Sequence, residues 1–460
     1  MSDVPSDPFR ASFPPPGPGY CGQGPTRVIR GLSQVPEPEG DVTDDIPREP
    51  PQTLLIVDPA WRATCLERVG GIPAGYTYLA QLMGHDMGNS VSVDAHPHAA
   101  PSGSAPLRRY NLIENPLCLE TIYGAGPLQP GALYDPQTLL FRVQPGVDQA
   151  ALIAYRPEKG GPVLGDPIRV LHDERNRDTL MLHELAVAWM QFHNRCARRL
   201  AGQGAWQAHV LARGHVVRVW HRILVDDLLK RFVHPAIAGA GIDPRWVLDE
   251  TTLLNGLSRA FHALPLDAYP MRESGLHNLC DLMKSGHGKS LAENSWHVDW
   301  PLMLGKHAGG PKTGISASIA GQMRLPLGAI ARMDLASATG ANPLRLGHPA
   351  IAAVVETLPR DWPQRLTPAQ LAQDFTDTFP KAPVTPTAAD LSWGPLYQAL
   401  MVEAQIYGHG GGFGPLGSAL LKASVLNAIE RVRIAPGGDA VGHLETPETM
   451  LELITLARST

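Results

Sequence analysis

The stretch RNRDTLMLHELAVAWMQFHNRCARRL, residues 175–200, contains the strongest structural pattern in this chain. Its first four residues form a mixed-charge cluster. From Thr179 onward, apolar side chains recur every three or four positions, which is the period of an α-helix. The residues Ala201-Gly202 follow, and glycine at that place is typical of a helix C-terminus. We therefore predict a long helix over residues 179–200 that begins beside a cluster of charges.

Helical patterns dominate the rest of the chain, and clear strand alternation is scarce. Further helices are predicted at residues 76–87, 206–233, 251–262 and 395–406. Residues 1–51 are crowded with Pro and Gly, which disfavour helix and interior strand. The sequence therefore predicts a mainly α fold with long loops and few strands. Residues 1–51 would form a Pro/Gly-rich N-terminal extension, and residues 52–460 a single domain.

The composition argues against several classes of function. The net charge of −5 over 460 residues gives no electrostatic case for binding nucleic acid. No run of about 18 apolar residues exists, so we expect no membrane span. The N-terminus lacks the basic patch and apolar run of a signal peptide, so we expect a cytoplasmic protein, with non-classical export left open. Five scattered cysteines without a CxxC pair argue against a disulfide framework or a structural zinc site.

Three segments each carry two polar residues that share one helix face, because they lie three or four positions apart: Gln81 with His85, Arg175 with Asp178, and Arg259 with His262. An imidazole at such a position can ligate a metal or move a proton, and a guanidinium can stabilise developing negative charge. Each pair is also compatible with a structural histidine or a solvated helix start. The residues alone therefore predict a helical protein with candidate ligand histidines.

The order and spacing of these segments resemble the animal-type haem peroxidase family of the peroxidase–cyclooxygenase superfamily, and its bacterial branch most. Residues 81–86 resemble the family's Gln, two apolar residues, Asp, His, Asp. Residues 175–194 resemble Arg-Asn-Asp-Glu-Asn, an apolar helix and Phe-His-Asn, and residues 259–262 resemble Arg-Phe-Gly-His. Weaker matches follow in the family's order at residues 117–127, 298–300, 400–404 and 414–418.

This resemblance implies a haem-peroxidase-like fold that binds haem b. His262 would be the proximal iron ligand, and Arg259 would pair with a haem propionate. On the distal side, His85 would be the proton-transferring base, Gln81 would line the pocket, and Arg175 would be the distal arginine. The implied activity reduces hydrogen peroxide and oxidises a small organic or halide substrate through an oxoferryl intermediate. The expected partners are hydrogen peroxide and a small-molecule reductant.

Several positions depart from the family, and two of them concern covalent attachment of the haem. Gly84 replaces an Asp that forms an ester with the haem in some members, so that link is impossible here. Asp178 stands in the place of the family's other ester-forming residue, a Glu, and leaves a haem ester through Asp178 open. Thr179 excludes the methionine–haem sulfonium bond of other members.

Two other departures concern metal ligands and their partners. Asp86 is a candidate calcium ligand, yet Cys118 stands where the family has Asp, and thiols are poor ligands for a hard cation. Calcium binding therefore stays open. Ser316 falls where an Asn normally hydrogen-bonds the proximal His, which predicts a weaker contact there. Arg324 falls where the family usually has Gly.

Two alternatives share the same fold. One is a fatty-acid or biosynthetic haem oxygenase. Cyclooxygenase-type members carry a Tyr three residues before the proximal His, and Arg259 in that position counts against this reading. The other alternative is a degenerate, non-catalytic haem-binding member that has lost peroxide turnover.

Overall fold

The computed structural model describes these parts of the chain: residues 55, 60–61, 70–92, 109–127, 133–144, 151–152, 157–158, 161–162, 171–177, 179–241, 252–272, 275–286, 297–315, 358–359, 362, 367–393, 396–434 and 438–459. The predicted N-terminal extension, residues 1–51, lies outside them. In the described part, no helix is long and apolar enough to cross a membrane.

Most of the described residues are helical, so the predicted mainly α fold is confirmed. In chain order the helices are α1 (Gly75–Met87), α2 (Glu120–Tyr123), α3 (Leu180–Arg199), α4 (Ala205–Ile223), α5 (Leu229–Phe232), α6 (Pro235–Ala238), α7 (Ser258–Ala260), α8 (Leu279–Gly286), α9 (Trp300–Met303), α10 (Pro368–Thr378), α11 (Ala388–Trp393), α12 (Leu396–Tyr407), α13 (Pro415–Arg431) and α14 (Met450–Arg458). Helical turns of 3-10 type lie at Glu174–Arg177, Ala201–Gln203, Phe261–Ala263 and Gly438–Val441, and π-helical turns at Leu224–Leu228 and Thr252–Leu257.

The described strands are short, and all their pairs are antiparallel. Two-stranded pairs join Ile72–Pro73 to Lys312–Thr313, Ser90–Ser92 to Arg109–Asn111, Val143–Gln144 to Ala151–Leu152, and Pro157–Glu158 to Gly161–Pro162. One three-stranded sheet has Ala268–Arg272 between Gly275–Asn278 and His297–Val298, with Ala268 opposite Asn278.

The long predicted helix is α3, and it forms the centre of the fold. It begins where expected, because the Thr179 side chain accepts a hydrogen bond from the Leu182 N–H and so caps the first turn. Seventeen of its twenty residues are buried. Helices α1, α4 and α14 pack against it, and Trp189 meets Trp220 of α4 edge to face with ring centroids 5.2 Å apart.

A buried carboxylate ties two distant segments to α3. Glu184 accepts hydrogen bonds from Trp300 Nε1 at 2.8 Å and from the Val298 N–H at 3.2 Å. It also pairs with Arg458 of α14 at 2.8 Å. Burial raises the pKa of Glu184, and the Arg458 charge and the two hydrogen bonds oppose that rise. These contacts hold the C-terminal helix and the segment before α9 on the core.

The segment predicted as one helix over residues 251–262 is irregular. It consists of the π-helical turn Thr252–Leu257, the short α7 and the 3-10 turn Phe261–Ala263. The spacing of apolar residues does not distinguish an α-helix from 3-10 or π-helical turns, so the sequence could not predict this irregularity. It matters because His262 lies in the last of the three turns.

Candidate active site

One stripe of α1 is accessible although the helix is otherwise enclosed. Of the thirteen residues of α1, only Gln81, Gly84 and His85 are not buried. They are three and four positions apart, so they share a face. A Cβ atom placed on Gly84 would meet no atom within 4 Å. This stripe therefore faces open space inside an otherwise packed region.

His262 and Arg259 form a second partly accessible surface. Both keep accessible surface, while the neighbouring Leu257, Ala260 and Phe261 are buried. Helix α1 packs against the 3-10 turn that carries His262. The charge of His85 contributes to the pKa of His262, so the two imidazoles are near enough to interact. The structure therefore brings His85 and His262, from the first and third predicted pairs, close to each other.

Both imidazoles are neutral at physiological pH. Burial, and then the charge of Arg175, lowers the pKa of His85 to about 4. Burial, and then the charge of Arg259, lowers the pKa of His262 to about 4, while hydrogen bonding to the backbone of Arg259 and Ser258 acts in the opposite direction. Both side chains are therefore strongly desolvated while they keep some accessible surface.

Arg175 lies at the end of α1, next to His85. Its guanidinium pairs with Asp173 at 2.6 Å, and it donates to the backbone oxygens of His85 at 3.0 Å and Gly88 at 2.7 Å. A cation at these carbonyls also interacts favourably with the negative end of the helix dipole. The contacts use the Nε–H, both Nη2 hydrogens and one Nη1 hydrogen, so the second Nη1 hydrogen has no contact within the described part of the chain.

Asn176 is the site residue to which the sequence reasoning assigned no role. It is fully buried, and its Oδ1 lies 3.0 Å from His85 Nδ1. Its Nδ2 donates to the Thr121 backbone oxygen at 3.3 Å. The only sequence signal was its position directly after Arg175, and that position does not reveal a contact with a residue 91 positions away.

Asp86 does not have the surroundings of a calcium ligand. Its carboxylate accepts hydrogen bonds from the Leu119 N–H at 2.8 Å and Trp220 Nε1 at 3.1 Å, with the Thr121 N–H at 3.5 Å. Burial raises its pKa to about 7, against these hydrogen bonds. Calcium would need six to eight oxygens around it, whereas here N–H groups face the carboxylate. Among the described residues, no three His, Cys, Asp or Glu side chains form a group able to hold a metal.

Three sequence predictions fall on residues whose structure is not described: Asp178, Ser316 and Arg324. A haem ester through Asp178 and the contact expected at Ser316 therefore stay predictions. A cavity of about 200 Å³ opens beside Gly71, Arg231 and His409 and includes none of the predicted site residues. The region where α1 packs against the turn that carries His262, next to Arg175, is the candidate active site.

The whole fold is similar to a solved peroxidase. Peroxidase A from Dictyostelium discoideum (DdPoxA) superposes with a TM-score of 0.55 and 13% sequence identity, covering 85% of this chain and 85% of that one. No protein-family model matches the sequence, and no curated protein matches it. At such low identity the likeness establishes a peroxidase-like fold, and the case for chemistry depends on the site residues.

Proposed function

We propose that this protein is a haem-dependent peroxidase of the bacterial branch of the animal-type family. It would reduce hydrogen peroxide and oxidise a small organic or halide substrate. The observation that carries the proposal is the packing of α1, with His85 and the open space beside Gly84, against the turn that carries His262. Two neighbouring neutral imidazoles suit one iron ligand and one proton-transferring base.

His262 is the proposed ligand of the haem iron. A ligating imidazole must be neutral, and the lowered pKa of His262 satisfies that requirement. Hydrogen bonding of its ring to the backbone of Arg259 and Ser258 would fix its orientation, as is usual for metal-bound histidines. Arg259 supplies a positive charge for a haem propionate. When bound, the haem would supply the redox chemistry.

His85 is the proposed distal base. It would take the proton from one oxygen of hydrogen peroxide and return it to the other. The nearby charge of Arg175 keeps His85 unprotonated, and the remaining Nη1 hydrogen of Arg175 can stabilise the departing oxygen. Gln81, on the same face of α1, lines the pocket. A haem ester through Asp178 belongs to this proposal as well.

A haem-binding protein without peroxide turnover is the second candidate. One observation favours it: most hydrogens of the Arg175 guanidinium are engaged by Asp173 and by carbonyls at the end of α1. If Arg175 serves only to hold this helix end, less charge stabilisation reaches the peroxide. Haem binding would then persist while turnover is weak.

The test compares two histidine variants after haem loading. His85→Gln is expected to keep haem and to lose peroxide-dependent oxidation of a phenolic donor by about 10²- to 10⁴-fold, because the base is gone. His262→Gln is expected to lose stable haem binding. A His85→Gln protein that turns over at the wild-type rate would remove the peroxidase proposal. A wild-type protein that binds haem but does not turn over peroxide would favour the second candidate.

A further inference from the structure

We propose that Asn176, together with the Thr121 carbonyl, holds His85 in the tautomer whose Nδ1 carries the hydrogen. The Nε2 atom of His85, which has no hydrogen-bond partner in the described part of the chain, then carries the lone pair. Asn176 is thus a positioning residue, and its catalytic meaning rests on the proposed peroxidase function. The tautomer itself is decided by geometry alone.

The orientation of the Asn176 amide follows from its neighbours. The Thr121 backbone oxygen can only accept a hydrogen bond, so the amide NH₂ must face it, as it does at 3.3 Å. A flipped amide would place two oxygens against each other in a fully buried position, where the repulsion is unscreened. The amide oxygen is therefore the atom that faces His85.

The amide oxygen then determines the tautomer of His85. A carboxamide oxygen has no hydrogen to donate, so the 3.0 Å contact is a hydrogen bond only if His85 Nδ1 donates. A neutral imidazole carries one ring hydrogen, and the other nitrogen must then be an acceptor. With the hydrogen held on Nδ1, Nε2 is unprotonated and suited to accept a proton.

The supports of Asn176 are themselves anchored. Its backbone N–H donates to the backbone oxygen of Asp173 at 3.1 Å, and the carboxylate of Asp173 pairs with Arg175. On the other side, the N–H groups of Leu119 and Thr121 face the carboxylate of Asp86. Asp86 directly follows His85 on α1. A closed ring of contacts therefore links the base, its partner and the carbonyl that orients the partner.

The functional consequence concerns the proton of peroxide. A ring nitrogen that carries a hydrogen cannot accept a proton, whereas one that carries a lone pair can. Without Asn176, the ring could adopt either tautomer, and the fraction with a lone pair on Nε2 would fall. Asn176 thus increases the competent population of His85 without touching the substrate.

The direct test is the tautomer of His85 in the full-length, haem-free protein with ¹⁵N-labelled histidine. Long-range ¹H–¹⁵N correlations distinguish the two ring nitrogens, and the signals of His85 are identified by their loss in His85→Gln. We expect the Nδ1–H tautomer in the wild type and a substantial Nε2–H fraction in Asn176→Leu. A wild-type His85 that carries its hydrogen on Nε2 overturns the inference, whether or not any variant folds.

Two variants separate positioning from packing. Burial beside the Thr121 oxygen favours a protonated carboxyl in Asn176→Asp. Its hydroxyl can donate to that oxygen while its carbonyl oxygen accepts from Nδ1–H, so the tautomer is expected to stay. Asn194→Leu is the matched control, because Asn194 is another buried asparagine. Its Oδ1 accepts from the Phe141 N–H and its Nδ2 donates to the Phe141 backbone oxygen, both at 2.8 Å. It should leave the His85 signals unchanged. A wild-type tautomer that persists in Asn176→Leu would overturn the role of Asn176.

Haem-loaded protein gives an independent readout. Asn176→Leu is expected to bind haem with unchanged affinity and to react with hydrogen peroxide about 10- to 100-fold more slowly, a partial loss of general-base catalysis. Equal rates in Asn176→Leu and wild type would contradict the positioning role. If the wild-type tautomer is as expected and haem-loaded wild type does not react at all, the proposed function fails while the tautomer assignment holds.

Discussion

Gly84 offers the sharpest test that the open space beside α1 is a haem site. It lies on the accessible stripe with Gln81 and His85, and a Cβ atom there would meet nothing within 4 Å. Without haem, a methyl group therefore has room at this position, and we expect a larger side chain to extend into the same open space. With haem, the same side chain must compete for the space. The substitution Gly84→Leu should separate the stability of the fold from the binding of the cofactor.

The expected magnitudes have opposite signs. Replacing a helix-interior glycine lowers the conformational entropy of the unfolded chain, so the haem-free protein should gain about 0.5–1 kcal/mol in free energy of unfolding. Filling a site that a ligand must occupy costs about 1–3 kcal/mol, as overpacking does in cores. Haem affinity should then fall by about 5- to 150-fold. Gly84→Ala adds only one methyl group, so it should lower haem affinity less than Gly84→Leu does.

The assays are urea unfolding of haem-free protein and haem titration followed by the Soret band. Gly75 on the same helix is the matched control, because a Cβ there would meet Leu304 Cδ2 and the Met303 oxygen at 2.9 Å. Gly75→Ala should destabilise the fold by about 1–3 kcal/mol and leave the haem affinity of the folded protein unchanged. Gly84→Leu with wild-type haem affinity would show that haem does not bind beside α1.

Three further predictions concern pH, a buried ion pair and calcium. The pKa of His85 is lowered to about 4, so the rate of the peroxide reaction should be constant from pH 7 to 5. Below pH 4, stopped-flow measurements should show the rate falling about tenfold per pH unit. A decline centred near pH 6.5 would contradict an enclosed base. The lowered pKa also means that the unfolded state binds more protons between pH 6.5 and 4, so the free energy of unfolding should decrease as pH falls through that window, by about 1.4 kcal/mol per unit for each such histidine. Glu184→Gln should lower the free energy of unfolding, measured in urea, by about 3–5 kcal/mol, since it leaves Arg458 without its buried partner. A decrease of less than about 1 kcal/mol would show that the ion pair is solvated. A calcium chelator should leave the midpoint of urea unfolding unchanged, because the Asp86 carboxylate is bonded to N–H groups instead of a cation. A lower midpoint in the presence of the chelator would show that the fold binds calcium.

Local rules predicted the elements that carry the site. Apolar periodicity indicated α1 and α3 to within one residue at each end, and Thr179 caps α3 as a threonine before an apolar run should. The four-residue spacing of Gln81 and His85 placed both on one face, which is the face that remains accessible. These features depend on residues close in sequence, so one chain is enough to read them.

Long-range partners could not be predicted in the same way. The contact of Asn176 with His85 and the hydrogen bonds of Arg175 to carbonyls at the end of α1 join residues about 90 positions apart. Whether Asp86 meets a cation or N–H groups depends on how the loop before α2 folds. Local propensity carries no information on these contacts, since packing of distant elements decides them.

The central claim is that His262 and His85 form the two sides of a working haem site. The measurement that tests it most directly is the absorption spectrum of the haem-loaded protein before and after one equivalent of hydrogen peroxide. We predict a stable Soret band that shifts promptly on mixing, and a band that does not shift in His85→Gln. No stable Soret band, or one that only bleaches slowly in the wild type, would contradict the account.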